Sequence, residues 1–159
     1  MTVDNEQHRL WVASRRRVEL QGGEGFRAIH RLLGSAVEYP RRDAFALDRL
    51  EERFDFVCCF GILHRVENAL GLLRVLHGRT VGSGTVLVET YGVGPEDRNG
   101  RAIRVSEPGE VSARDEFVYW GLGDAGLERI ARIPGFSRVE SLVDVEVDGD
   151  PRIIGRLVA

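Results

Sequence analysis

The feature that most constrains the fold is an apolar segment, FDFVCCFG, which runs from Phe54 to Gly61 without regular polar alternation. A run of this kind is typical of a parallel strand that helices cover on both faces. A second run, TVLVETYG from Thr85 to Gly92, follows a predicted turn at Gly82–Gly84. The segment between the runs predicts a helix with one apolar face, made of Ala69, Leu72, Leu73 and Leu76. Strand, helix and strand within about 40 residues predict a right-handed βαβ crossover.

Further elements are predicted on both sides of this unit. Upstream, RLWVAS predicts an edge strand, GFRAIHRLLG a helix that ends at Gly34, AVEY a short strand that ends near Tyr39, and LDRLEERF a short amphipathic helix. Downstream, GLGDAGLERIARIPGF predicts a helix, and VESLVDVEV and PRIIGRLVA predict an antiparallel pair of strands. The intervening connection, Val93 to Glu116, is long for a compact domain. The sequence therefore predicts an α/β fold.

Composition narrows the class of protein. The chain has 159 residues, which suits one domain, and a net charge of -3, which gives no general footprint for nucleic acid. No apolar run approaches the roughly 20 residues that a bilayer core requires, and the first ten residues, MTVDNEQHRL, are mostly polar. We therefore expect a cytoplasmic protein with no membrane contact. We expect both cysteines, Cys58 and Cys59, to be buried apolar residues that point to opposite faces of a strand.

The segment from FDFVCCFG to ETYG resembles the central part of a class I S-adenosylmethionine-dependent methyltransferase. The residues that match the family pattern are Gly61, Leu63, His64, Gly82, Gly84, Glu89 and Thr90. The resemblance implies a Rossmann-like sheet, mostly parallel with an antiparallel C-terminal hairpin, and S-adenosylmethionine as the cofactor. The ETYG strand and the region of Tyr119 and Trp120 resemble enzymes related to wobble-uridine tRNA modification.

The resemblance also implies roles for individual residues in binding the cofactor. Asp43 follows the third strand of the family's sheet, where the carboxylate accepts a hydrogen bond from the adenine amino group and the backbone at Ala44 contacts the ring. Phe60 and Gly61 lie beneath the methionine end of the cofactor, where a small residue permits close approach. The alternative for Asp43 is a solvated turn residue.

Residues at the substrate side of the site are assigned in the same way. His64 is expected to contact the cofactor or to act as a catalytic base, and its alternative is a packing or capping residue. Tyr91, Tyr119 and Trp120 are expected to stack on a planar methyl acceptor. Their alternative is a place in the core or in a lid over it.

One motif of the family is incomplete. The Gly-rich turn that follows its first strand has a single counterpart, ELQGGEGF, in which Gln21 replaces the first glycine. Only 18 residues separate Gly25 from Asp43, whereas one βαβ unit alone takes about 30. We therefore expect a methyltransferase-like domain over residues 1–159 that lacks its first strand and helix, with 1–24 as an atypical N-terminal segment. Its unpaired sheet edge would favour self-association.

These observations leave several functions open. The leading hypothesis is methyl transfer from S-adenosylmethionine to an unidentified small molecule or RNA, with activity lost if the incomplete Gly-rich motif does not bind. The alternative is a non-catalytic remnant that acts as an interaction module. A nicotinamide-dependent reductase is disfavoured because no GxGxxG turn follows a predicted strand. No metal site is expected, because the histidines, His8, His30, His64 and His77, lack the spacing of metal ligands.

Overall fold

The computed structural model of the protein describes residues 14, 23–39, 42–93, 103–107, 118–147 and 150–159. The chain divides into two compact units, Met1–Leu47 and Asp48–Ala159. The single-domain organisation expected from the sequence stays a prediction. In the described part of the chain, no helix has the length and apolar character needed to cross a bilayer.

Helix α1 (Glu24–Leu33) forms where the sequence predicts it. Its end is set by Gly34, which adopts the left-handed conformation with φ of 58°. The N–H groups of Gly34 and Ser35 donate to carbonyls of the last helical turn, as in a typical glycine cap. The apolar side chains of Ile29 and Leu33 are exposed.

The short strand predicted to end near Tyr39 is wrong, because residues 35–39 have no regular secondary structure. The Val37 N–H donates to the Ser35 hydroxyl at 3.1 Å, a local bond that competes with strand pairing. The helix predicted to begin at Leu47 forms earlier, as a 3₁₀ helix over Ala44–Arg49. Of the predicted edge strand RLWVAS, only Ser14 is described, and it is helical.

The second unit is built on a four-stranded mixed sheet in the order β1–β2–β6–β5. The elements are β1 (Phe54–Phe60), α2 (Ala69–Gly78), β2 (Thr80–Tyr91), β3 (Ile103–Val105), β4 (Trp120–Leu122), α3 (Asp124–Arg132), β5 (Arg138–Val147) and β6 (Asp150–Val158). Strands β1 and β2 are parallel, whereas β6 is antiparallel to both of its neighbours, β2 and β5. The predicted α/β fold, with a βαβ unit and an antiparallel C-terminal hairpin, is confirmed. The expectation of a mostly parallel sheet is wrong for the described strands, because β6 runs antiparallel to both of its neighbours.

The core lies between this sheet and the two helices, α2 and α3. The apolar face predicted for α2 is confirmed, because Leu72 and Leu73 are fully buried and Ala69 and Leu76 nearly so. Burial of each leucine stabilises the fold by roughly 1.5–3 kcal/mol relative to an exposed position. Leu127 of α3 is also buried, and its side chain lies against Gly155 of β6, where a Cβ would be 2.7 Å from it.

The turn predicted at Gly82–Gly84 is wrong, because β2 begins at Thr80 and both glycines lie inside it. A Cβ on Gly84 would lie 2.9 Å from the backbone oxygen of Asp55. The register between β1 and β2 shifts at this level, between Phe54 and Phe56. The glycine therefore serves the close approach of two strands rather than a turn.

The two cysteines differ in environment. Cys59 is buried and Cys58 is exposed, so the expectation of burial holds for Cys59 and is wrong for Cys58. Burial, with a further contribution from the charge of Glu89, raises the pKa of Cys59 to about 12. The Cys59 thiolate is therefore scarce at neutral pH, and the thiolate is the reactive species.

We expect a maleimide reagent to label only Cys58 in the folded, dilute protein at pH 7, and to label both thiols in denaturant. Mass spectrometry of the intact chain counts the adducts, and the Cys58→Ser variant serves as the control that should remain unlabelled until unfolded. Rapid labelling of Cys59 in the folded protein would contradict the burial of that strand face.

Candidate functional site

The site is built at the carboxyl ends of β1 and β2. The chain leaves β1 through Gly61, which has φ of 68°, a left-handed conformation that glycine adopts without steric cost. The Gly61 N–H donates to the carbonyl of Glu89 on β2 at 3.2 Å. A 3₁₀ turn, Leu63–Arg65, follows and directs His64 into the protein.

His64 is fully buried and is bound to the end of β2. The backbone N–H of Tyr91 donates to Nδ1 of His64 at 3.3 Å, and the Thr90 hydroxyl lies 3.5 Å from the same nitrogen. Because Nδ1 accepts a hydrogen bond, the proton of a neutral imidazole is on Nε2. That Nε2 has no hydrogen-bond partner among the described residues.

The environment of His64 keeps it neutral. Burial, together with the positive charges of Arg65 and Arg152, lowers the pKa of His64 to about 3. Removal from water disfavours the charged imidazolium, and the two guanidinium groups disfavour it further. The arrangement fixes the loop after β1 to β2, and the catalytic role of His64 stays a prediction.

Tyr91 is buried beside His64, and the two rings meet edge to face with centroids 4.5 Å apart. The guanidinium carbon of Arg152 lies 3.6 Å from the centroid of the Tyr91 ring. Arg152 also donates to the Glu89 carboxylate at 2.9 Å, in a partly buried ion pair. One face of Tyr91 is therefore covered by a cation, and the stacking of Tyr91 on an acceptor stays a prediction.

Tyr119 and Trp120 lie beside the loop that carries His64. The Tyr119 N–H donates to the His64 carbonyl at 2.7 Å, and the indole N–H of Trp120 donates to the Val66 carbonyl at 2.7 Å. Strand β4, which contains Trp120, pairs with β3 in a separate two-stranded sheet. The structure thus brings Tyr91, Tyr119 and Trp120 to the loop that carries His64, and the stacking of Tyr119 and Trp120 on an acceptor stays a prediction.

Phe60 is the last residue of β1, and it is paired in register with Glu89. Phe60 is 52% exposed, so an apolar surface is available next to Gly61. That Phe60 and Gly61 lie beneath the methionine end of a cofactor stays a prediction.

Asp43 and Ala44 belong to the first unit. The Asp43 carboxylate accepts the N–H of Phe45 at 2.7 Å, and the 3₁₀ helix begins at Ala44. Asp43 thus caps a helix, and its exposed side chain retains a second carboxylate oxygen. Its predicted contact with adenine stays a prediction.

The sequence analysis did not identify Arg152 as part of the site. Arg152 lies on β6, 63 positions from Glu89, and the register that pairs it with Tyr91 is a property of the antiparallel sheet. The available signal was the alternation of Arg152 and Arg156 with apolar residues along the last predicted strand. Among the described residues, no three His, Cys, Asp or Glu side chains converge as metal ligands.

Comparison with known proteins rests on structure. Neither a protein-family model nor a curated protein matches the sequence. The N-terminal domain of EvdMO1, solved in the presence of SAH and D-fucose, is 23% identical, with a TM-score of 0.58 over 84% of this chain and 60% of that chain.

Two enzymes with bound S-adenosylhomocysteine are also similar. Magnesium protoporphyrin IX methyltransferase from Synechocystis is 16% identical, with a TM-score of 0.58 over 86% of this chain and 58% of that chain. The 1,6-didemethyltoxoflavin-N1-methyltransferase of Burkholderia thailandensis is 12% identical, with a TM-score of 0.59 over 85% of this chain and 56% of that chain.

At this level of identity the likeness shows the fold. The chain has the α/β fold of S-adenosylmethionine-dependent methyltransferases, as the sequence predicts. It spans about 60% of the length of these three proteins.

Proposed function

We propose that the chain is a methyltransferase-type protein that binds S-adenosylmethionine at the carboxyl ends of β1 and β2. The observation that carries the proposal is the arrangement of the sheet: a parallel β1–α2–β2 unit with antiparallel β6 between β2 and β5. Three proteins solved with S-adenosylhomocysteine share this fold. Ligands of open α/β sheets bind at this end of the strands.

The residues at this end fit a ligand with a polar, partly anionic portion. The buried donors that lack a hydrogen-bond partner among the described residues include Nε2 of His64 and Nε of Arg152. Buried donors are usually satisfied, and a carboxylate or carbonyl oxygen that reached them would supply the missing partner. Phe60 offers an apolar surface, and Gly61 has open space where a side chain would otherwise stand, with only a Glu89 oxygen within 4 Å.

The proposed adenine contact is made by Asp43. One carboxylate oxygen holds the start of the 3₁₀ helix through the Phe45 N–H, and the second is left to accept the exocyclic amino group. The backbone of Ala44, the next residue, is proposed to contact the ring.

S-adenosylmethionine supplies an electrophilic methyl group on a sulfonium sulfur, which the acceptor displaces in line. The protein's task is then to bind, orient and desolvate the reactants. Neutral His64 anchors the loop between β1 and α2 through its bond to Tyr91. Tyr119 and Trp120 bond to the same loop, and we propose that they contact a planar small molecule or a nucleobase of RNA.

The proposal is tested by calorimetric titration of the chain with S-adenosylhomocysteine. We expect micromolar affinity, and Asp43→Ala should weaken it by about tenfold or more, which is the loss of one charge-assisted hydrogen bond. Asp43→Ser keeps a hydroxyl that can cap the helix but cannot reach the adenine, so it should weaken binding equally. Asp48→Ala, which removes another carboxylate of the same 3₁₀ helix, should not.

Two results would overturn the proposal. One is the absence of binding by a folded, monodisperse chain, which would leave the non-catalytic interaction module as the better hypothesis. The other is binding that Asp43→Ala weakens and Asp43→Ser does not, since Asp43 would then act only as a helix cap.

A further inference from the structure

Strand β1 lies at an edge of the sheet. It pairs with β2 on one side, and no described strand pairs with its other side. Backbone groups alternate in direction along a strand. Because Gly61 directs its N–H to β2, the backbone groups of Phe56, Cys58 and Phe60 are directed to the outer edge. An edge of this kind is a template for another strand.

The side chains of these same three residues form an exposed stripe. They occupy alternate positions and so share one face of the sheet. Phe56 is 56% exposed and Phe60 is 52% exposed, and the Cys58 thiol is free and exposed. The order of residues in the stripe, phenylalanine, cysteine, phenylalanine, is symmetric about Cys58.

We propose that two copies of the chain pair edge to edge through β1, antiparallel, about a twofold axis at Cys58. This register sets Phe56 opposite the partner's Phe60 and Cys58 opposite the partner's Cys58. Two cross-strand aromatic pairs then flank the axis, and the outward backbone groups of the stripe bond to each other. The single charged residue of β1, Asp55, falls opposite the partner's Gly61, so no like charges meet.

A second copy fits this edge better than it fits the opposite one. Strand β5, at the other edge, carries Arg138, Glu140, Asp144 and Glu146 among its ten residues. Three of the four charges are acidic, and two copies of such a strand repel each other. A twofold contact is also closed, since both copies use the same edge. The proposal does not depend on the proposed function, although both assign a contact to Phe60.

The first test is the oligomeric state of the full chain, measured by sedimentation equilibrium at concentrations up to about 200 µM, because a small interface associates in the micromolar range. We expect a concentration-dependent dimer. Phe56→Arg should weaken dimerisation by about tenfold or more, because it places a charge in each aromatic pair. Phe56→Leu, the matched apolar control, should dimerise, and circular dichroism verifies that both variants are folded.

The second test reports the register. Diamide accepts the two hydrogens that a pair of thiols loses, and it should yield a dimer joined by a Cys58–Cys58 disulfide. Opposed residues in a hydrogen-bonded pair lie about 5.5 Å apart at Cα, which is within the disulfide range. Cys59→Ser should still cross-link, whereas Cys58→Ser should not and should remain a noncovalent dimer.

Three results would overturn the proposal. The first is a monomer at every concentration, and the second is a dimer that Phe56→Arg does not weaken, since its interface would then lie elsewhere. The third is cross-linking of Phe56→Arg as fast as the unmodified chain, which would mean that the thiols meet by random collision.

Discussion

Between about pH 6 and pH 3 the free energy of unfolding should fall by up to about 1.4 kcal/mol for each pH unit, because of His64. Burial and the charges of Arg65 and Arg152 lower its pKa to about 3 in the folded chain, whereas an unfolded histidine titrates near 6.5. At a pH between these two pKa values, His64 is protonated in the unfolded state and neutral in the folded state. Stability is therefore complete above pH 6.5 and is lost progressively as the pH falls.

Urea denaturation at constant ionic strength measures this dependence. Between pH 6.5 and 4.5 we expect His64 to contribute a loss of about 2.3 kcal/mol, because the unfolded histidine is already half protonated at pH 6.5. His64→Asn should flatten the profile, because the amide oxygen can still accept the Tyr91 N–H but has no proton to bind. The control, His77→Asn, removes a histidine that packs against Phe136 instead.

The pH profiles of the two variants test whether His64 is the titrating group. If His64→Asn retained the slope, or if His77→Asn removed it, then the buried imidazole would not be the group that titrates. Asparagine is smaller than histidine and leaves empty the space that the Nε2 side of the ring filled. The free energy of unfolding of His64→Asn should therefore also be lower at pH 7, by about 1–3 kcal/mol. That loss does not depend on pH, so it is separable from the slope.

The central part of the fold could be predicted because it depends on local periodicity. Helix α2 was predicted from the spacing of Leu72, Leu73 and their neighbours, and the structure buries the same side chains. The antiparallel hairpin of β5 and β6 followed from two apolar segments joined by a short connection. Elements of this kind are specified by the residues that compose them.

The remaining features depend on neighbours that are distant in sequence. Gly82 and Gly84 looked like a turn because a glycine pair usually is one, but here the space beside Gly84 is set by the backbone of β1. Cys58 lies on an apolar run that predicts burial, and it is exposed because nothing described covers that face of the edge strand. Burial of a strand depends on what packs against it, which the strand's own sequence does not contain.

The site also combines residues that local sequence identifies with residues that only the fold brings together. The residues of the loop after β1 were predicted from a motif of consecutive residues, whereas Arg152 came to Tyr91 and Glu89 through the register of β2 with β6. A shift of that register by one residue would turn Arg152 to the opposite face of the sheet. The ion pair between Arg152 and Glu89 could therefore be identified only once the register of β2 with β6 was known.

Arg152→Met should lower the free energy of unfolding by about 2–3 kcal/mol. The ion pair with Glu89 is mostly buried, with side chains 16% and 23% exposed, and removal of one partner leaves a carboxylate that is poorly solvated. Methionine preserves much of the volume but loses the cation that lies over the Tyr91 ring. Near-ultraviolet circular dichroism should report the change around Tyr91, and urea denaturation measures the energy.

A matched control lies on the same strand. Arg156 pairs with Glu140 at 3.5 Å, but its side chain is 41% exposed, so Arg156→Met should cost less than about 0.5 kcal/mol. The double variant Arg152→Met with Glu89→Gln should recover about 1–2 kcal/mol, because the amide no longer carries an unpaired charge. Equal losses from Arg152→Met and Arg156→Met, or additive losses in the double variant, would mean that Glu89 and Arg152 do not act as a pair. Strands β2 and β6 would then be held together at the site by their backbone hydrogen bonds and apolar contacts alone.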